Sequence, residues 1–441
     1  MKNIRILQLL MMGVFIVFSH SFASNEDTKG TSRSLAEWTV VAYIQADNNL
    51  APYAVYNIGD MQLAPLSSSL VNMLVQWDQP NNNKTWRYRI VKGGRIEDAS
   101  VSVEMGLNPV QELVDMTKWA KTKYDAKRFC VILWNHGSGV VDPSYRATNK
   151  AISNALGTDD GRPHMPWLEI PGFDAQRDAQ DRGILFDDSQ LTYLNAQGLA
   201  TAFSRIKSEV MGGRKIDIVG MDACLMAMLE VGYQIKDSVN YLVSSEDTEP
   251  GEGWSYSGFL KTLCALPAVE APSFANAIVN AYANFYQSRT RYYTQSAINL
   301  NKLELVKQNI AQVITGVAAC RKIDSTRTKR AVVNARRASK SFDVSDYIDL
   351  YSFYSALSAQ LAQKDSRASR RYITAATNLR SIVASGMQLI LNSVTANRVG
   401  SYYTNVKGIS IYYPRGTVHS SYRNTKFAQS TSWISFVQTY R

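Results

Sequence analysis

Short apolar runs recur through the first 265 residues at the spacing of an α/β chain. Near-continuous runs at 38–46, 70–77, 85–91, 129–134, 216–221 and 241–245 read as strands. Apolar positions three and four apart mark helices over 52–61, 109–121 and 195–209. Strands that are apolar on both faces and alternate with helices predict a mostly parallel sheet covered on both sides. Three of the runs end in polar or small residues: Asp47-Asn48-Asn49, Asn135-His136-Gly137 and Asp222-Ala223-Cys224. Sites in such sheets gather at the carboxyl ends of strands. Helical patterns at 273–288, 303–318, 346–363 and 371–394, with strands at 295–300 and 407–413, predict a largely helical C-terminal extension. Residues 138–190 break the rhythm with Pro143, Gly157, Gly161, Pro163, Pro166, Pro171 and Gly172. A stretch this irregular inside a domain is a functional loop, a processed linker or an inert insertion.

The first 23 residues follow another rule. Lys2 and Arg5 precede an apolar run at 6–18, and Ser21-Phe22-Ala23 supplies a small-residue cleavage site. This is the pattern of a secretory signal peptide over 1–23, followed by a polar link or propeptide over 24–37. It predicts export to the periplasm or the outside. No other run reaches 18 apolar residues, so no membrane span is expected.

Charge divides the chain in two. The formal net charge is +11, yet residues 1–265 hold 25 Lys/Arg against 30 Asp/Glu, and residues 266–441 hold 23 against 7. A uniformly basic polymer-binding chain is excluded. The run 321–340 carries eight basic residues and one acid, which suits a solvated helix face or an anionic surface. No zinc-finger, RNP or Walker pattern accompanies it, so no nucleic-acid partner is expected. Four cysteines, Cys130, Cys224, Cys264 and Cys320, show no metal-binding spacing; Cys130 reads as a buried thiol.

The chemistry narrows to two positions. Beyond residue 23 the histidines are His136, His164 and His419. Only His136 follows a strand directly with small neighbours, where Gly137 lets a backbone N–H approach a substrate. Cys224 follows the strand at 216–221 in the same way and precedes a helix predicted at 225–231, whose N-terminus would favour the thiolate. A histidine and a thiol on neighbouring strand ends suit nucleophilic catalysis.

His136-Gly137 after Val131-Ile132-Leu133-Trp134, and Asp222-Ala223-Cys224-Leu225-Met226, resemble the clostripain family of cysteine peptidases, of the caspase-like clan. Trp38 to Tyr43 with Asp47-Asn48, Asp187-Asp188, Ser245-Glu246 with Glu249-Pro250-Gly251, and Gly408 to Pro414 extend the likeness. The resemblance implies a caspase-like α/β/α sandwich over 38–265, with 266–441 contributing a late strand. It implies Cys224 as nucleophile, His136 as general acid and base, and the N–H groups of Gly137 and Cys224 as an oxyanion hole. Asp222, Trp254 and Ser255 would line the S1 pocket and select Arg or Lys, although Asp222 also suits a helix N-terminus. Family members often carry Asp where Gly253-Trp254-Ser255-Tyr256 has Ser255, and Glu249 or Glu252 could replace that carboxylate. Self-cleavage between His136 and Cys224 is also implied, with Lys150-Ala151 the first candidate and Arg146, Arg162 and Arg182 the alternatives. No cofactor is needed for the chemistry. Calcium dependence occurs in the family; Asp187, Asp188, Glu246 and Asp247 are the oxygen donors available, without an EF-hand spacing. Peptide or protein substrates follow from this reading. The alternative is an exported, non-enzymatic binding protein on the same scaffold, docking to an anionic polymer.

Overall fold

Runs that are apolar at every position, not at alternate ones, can be buried only at the centre of a sheet covered on both sides. The computed structural model describes residues 35–141, 183–363 and 365–441. Its strands up to the histidine are β1 (Ala36–Ile44), β2 (Val71–Trp77), β3 (Trp86–Val91), β4 (Gly94–Glu97) and β5 (Ala126–Trp134). Next come β6 (Ile184–Asp187), β7 (Thr192–Leu194), β8 (Ile216–Asp222) and β9 (Val239–Ser244). The C-terminal half adds β10 (Thr294–Asn299), β11 (Tyr347–Asp349), β12 (Val394–Val399) and β13 (Ser410–Tyr412). Among the described residues, nine of these form one sheet in the order β12-β10-β9-β8-β5-β1-β2-β3-β4. The five strands from β9 to β2 run parallel. Antiparallel pairs flank them on both sides. This is the mostly parallel α/β sandwich expected.

Alternation within the central strands builds two cores. Val41, Tyr43, Phe129, Val131 and Leu133 enter one, with the helices Pro109–Lys123, Ala196–Arg205 and Leu303–Ile323. Trp38, Val40, Ala42, Ile44, Ile132 and Trp134 enter the other, with the helices Ala51–Gln62, Tyr256–Ala265 and Ala271–Tyr286. Each such side chain, taken from water, contributes about 1.5–3 kcal/mol. Cys130 is fully buried in the second core, and burial pushes its thiol pKa well up, as its apolar setting suggested. Leu35–Arg441 form one compact unit, and side chains from the C-terminal helices share the first core.

Several elements differ from the sequence pattern. The helix predicted at 346–363 starts at Leu350, because Tyr347–Asp349 pairs with Ser410–Tyr412 and Asp349 accepts a capping bond from Ser352 N at 2.5 Å. That pairing also takes the late strand out of the main sheet. The helix predicted to reach residue 394 stops at Ser393, and Val394–Val399 covers the edge of β10. The helix predicted over 195–209 is Ala196–Arg205, continued by a π-helical turn at Ile206–Val210. The basic run is not wholly solvated. Arg336 is buried, donating from Nε to Tyr413 O at 2.8 Å and from Nη2 to Ser345 O at 2.7 Å. The signal segment 1–23, most of the link 24–37, Arg146, Lys150, Ala151, Arg162, His164 and Arg182 lie outside the described residues.

Candidate active site

The carboxyl ends of five parallel strands form one ridge. β5 and β8 are neighbours, with Trp134 opposite Asp222, so His136 and Cys224 each stand two residues beyond a paired position. Asn135 N extends the ladder to Asp222 O at 3.3 Å, and Gln45 N does the same to Trp134 O at 3.3 Å. The two functional loops touch through backbone. A Cβ placed on Gly137 would overlap the carbonyl oxygen of Cys224 and lie 3.0 Å from both Cys224 N and the Ala223 Cβ. Only glycine permits this approach.

His136 Nε2 meets Asn49 Oδ1, from the loop after β1, at 2.7 Å. Asn135 stitches the same region: its Nδ2 donates to Gln45 O at 2.6 Å, and its Oδ1 accepts from Phe186 N at 2.9 Å. Asn49 was not singled out from sequence as a partner, although its place in the polar end of β1 was visible.

The setting of Cys224 corrects one expectation. The following helix begins at Leu229, not Leu225, so its N-terminus does not stand at Cys224. Residues 225–228 instead bond outward: Leu225 N to Asp247 O at 3.0 Å, Ala227 N to Ser245 O at 2.8 Å, and Ser410 N to Ala227 O at 2.9 Å. Leu225 adopts φ +66, a conformation unusual for a bulky residue and found directly after the thiol. The donor to Cys224 Sγ is Glu249 N, at 3.3 Å. The Glu249 peptide thus stands beside the sulfur where the helix was expected, its carbonyl oxygen 3.9 Å from Sγ.

Asp222, at the end of β8, is 5% exposed and accepts from Trp254 N at 3.2 Å and Tyr256 OH at 2.9 Å. These residues flank Ser255, which precedes the helix Tyr256–Ala265 without a side-chain cap. Trp254 is buried, its ring over Gly220, where a Cβ would come within 2.8 Å. Its Nε1 donates to Glu249 Oε2 at 3.2 Å, and Gln295 Nε2 donates to Glu249 Oε1 at 3.3 Å. The Glu249 and Asp222 carboxyls also face each other within hydrogen-bonding reach.

A family model described as the Clostripain family matches residues 42–165 and 171–440. The chain belongs to the clostripain family. Clostripain of Hathewaya histolytica is 21% identical over 245 residues, 49% of this chain and 40% of that protein's length. The matched part thus spans about two fifths of that curated relative. A secreted C11 cysteine protease of Bacteroides thetaiotaomicron, "iotapain", superposes with TM-score 0.61 at 15% identity, covering 90% of this chain and 99% of its own. The structure of a secreted C11 cysteine protease from that organism with an irreversible peptide inhibitor gives 0.58 at 18%, covering 91% and 99%. An inactive zymogen C11 protease from Parabacteroides distasonis gives 0.55 at 16%, covering 90% and 98%. These likenesses establish the fold.

Within this clostripain-family scaffold burial holds the acidic pair toward its protonated form. Burial raises Asp222 to about 7, and burial with the Asp222 charge raises Glu249 well above the carboxylate range. A raised folded-state value means the folded protein keeps protons that the unfolded chain releases. The contribution is full below the unfolded values near pH 4 and is lost as pH rises through about 7. The melting temperature should therefore fall more between pH 5 and 8 for the parent than for Glu249→Gln; parallel curves in thermal melts would remove the retained proton.

The four acids considered as calcium donors separate on the structure. Glu246 Oε2 accepts from Gly408 N at 2.9 Å and Asp247 Oδ1 from Asp343 N at 2.8 Å, so both hold backbone. Asp188 is exposed. Asp187 is buried and joins Asp47, Asp78 and Glu104, whose ligand oxygens all lie within 4.8 Å of one another. The last three were not read as a cluster from sequence, because they come from three separate strand ends and loops. Burial and the neighbouring Asp187, Glu104 and Asp47 push Asp78 up to about 8.

Proposed function

We propose that this chain is an exported cysteine endopeptidase cutting after Arg or Lys. The observation that carries the reading is the backbone contact of Gly137 with Cys224 on adjacent strand ends, with His136 held by Asn49. Cys224 Sγ attacks the scissile carbonyl, and the thiol proton passes to His136. The N–H groups of Gly137 and Cys224 receive the oxyanion, a pair worth about 3–4 kcal/mol per lost donor at comparable sites. His136 then protonates the leaving amine, giving an acyl-enzyme. It next takes a proton from water, whose oxygen attacks the thioester and releases Cys224.

Two facing carboxyls, one of them two residues before Cys224, favour a cationic P1 side chain. A guanidinium or ammonium group would displace the retained proton and meet both carboxylates through charge-assisted hydrogen bonds. Glu249 thus takes the part of the acid absent at Ser255. Self-cleavage within 138–190, first at Lys150-Ala151, follows from the same preference, and export follows from the pattern at 1–23. The test is hydrolysis by residues 24–441 of peptides differing only at P1. Asp222→Asn and Glu249→Gln should each lower kcat/KM for Arg by about tenfold to a thousandfold while sparing an apolar P1. Parent turnover that favours apolar P1 would leave a peptidase without this specificity.

A further inference from the structure

We infer that one end of the C-terminal helices docks on the phosphate headgroups of an anionic lipid bilayer. Four helices meet there. Leu303–Ile323 runs against Arg370–Ser393, with Gly316 on Leu379 and Asn309 Nδ2 donating to Ile382 O at 2.9 Å, so the first ends where the last begins. Ser325–Ala338 turns back from the same place, capped by Asp324, whose Oδ1 accepts from Arg327 N at 2.9 Å. Leu350–Leu361 also finishes there, since Arg327 pairs with Asp365 in the link to the last helix.

What gathers at this end is charge. Residues 321–330 and 365–371 hold eight Lys/Arg against two Asp. Both acids are already engaged: Arg327 Nε meets Asp324 at 3.0 Å, and Arg327 and Arg367 share Asp365. Arg321, Lys322, Lys329, Arg330, Arg370 and Arg371 are exposed and form no ion pair among the described residues. Their placement also runs against local stability. Arg370 and Arg371 open a helix capped by Ser369, where the dipole favours anions, and the first turn holds no acid. Cations set against a helix dipole without a compensating acid point to a partner outside the chain.

The chemistry of that partner follows from what stands among the cations. Arginine offers phosphate two parallel hydrogen bonds, which favours a phosphate-bearing surface. Ile323 and Ile373 lie at the same end, 40% and 51% exposed. A bilayer interface would cover them, whereas a soluble polyanion would leave them in water. Nucleic acid would need an exposed aromatic for its bases, and Tyr372 is buried. Each basic side chain beside an anionic membrane strengthens binding about fivefold, and salt screens the effect.

The test reads binding alone. Residues 24–441 are sedimented with phosphatidylcholine vesicles, with and without about 30% phosphatidylglycerol. Binding to the anionic vesicles should exceed that to the neutral ones at least about tenfold, and fall at least about tenfold between about 0.1 and about 1 M salt. Arg370→Glu with Arg371→Glu should weaken it at least about tenfold. The melting temperature of that variant should be unchanged or raised, because Glu suits a helix N-terminus. Lys261 and Arg398 are exposed on other elements, so Lys261→Glu with Arg398→Glu makes the same charge change away from this end. It should cost about twofold at most. Ile323→Ser with Ile373→Ser should weaken binding at least about threefold. Equal binding to neutral vesicles, or equal losses in the two charge variants, would overturn this surface. Unchanged binding by the serine variant would overturn the bilayer in favour of a soluble polyanion. Hydrolysis of an Arg-P1 peptide should match the parent in every variant, so this inference and the peptidase reading fail separately.

Discussion

Cys224→Ala removes peptide hydrolysis and leaves the fold standing. The expected loss in kcat on an Arg-P1 peptide is about four orders of magnitude or more, since a nucleophile and its base act as one unit. For the same reason His136→Ala should cost a comparable amount, and the double variant little beyond either single one. The scaffold loses little, because the thiol is half-buried and its hydrogen bond comes from a backbone N–H that water can replace. Thermal melting should shift by no more than about 1 kcal/mol equivalent. N-terminal sequencing gives a second readout: the parent should acquire a new terminus within 138–190, Ala151 first, and Cys224→Ala should remain one chain. Turnover retained by the alanine variant would end the assignment of Cys224.

Gly137→Ala should be nearly as damaging, although it adds only a methyl group. That methyl has nowhere to go: the Cys224 carbonyl occupies its space, and the Ala223 side chain and Cys224 N stand 3.0 Å away. All three obstacles belong to the loop bearing Cys224, and that loop is tied to Ser245, Asp247 and Ser410. Relief must come from moving the His136 loop away from Cys224. An overpacked contact costs about 1–3 kcal/mol in stability. The catalytic cost is larger, because an oxyanion donor is displaced and the histidine moves with it, about a hundredfold to a thousandfold in kcat. Comparing kcat with the melting temperature separates the effects. Normal kcat with a lowered melting temperature would mean the close approach is structural only.

How far the sequence reached depends on whether an element is specified locally. The central strands were legible because each is apolar throughout and ends in a polar cluster, and His136 and Cys224 followed from those ends. Asp222 was legible by its nearness to Cys224. Glu249 as a donor to sulfur was not, since its N–H is brought there by a loop 25 residues away. The helix expected after Cys224 failed for a related reason. Leu225 to Met228 has an unremarkable helical composition, yet its backbone groups find partners on β13 and the loop after β9. Local propensity is weak beside such pairing. Tyr347–Asp349 has a helical pattern of its own, yet it pairs as a strand with Ser410–Tyr412. The four-acid cluster shows the limit clearly: Asp47, Asp78, Glu104 and Asp187 are scattered over 141 positions, and only the parallel order of β1 and β2 with the β6 turn gathers them.

The bond from Ser410 N to Ala227 O sets a schedule as well as a shape. A chain emerging from its N-terminus presents Cys224 186 positions before Ser410, one of the three residues that tie its loop. Throughout that interval the sulfur is chemically present but its loop lacks one of its ties. Competence to cut would then arrive late in the emergence of the chain, after the basic helices have been laid down.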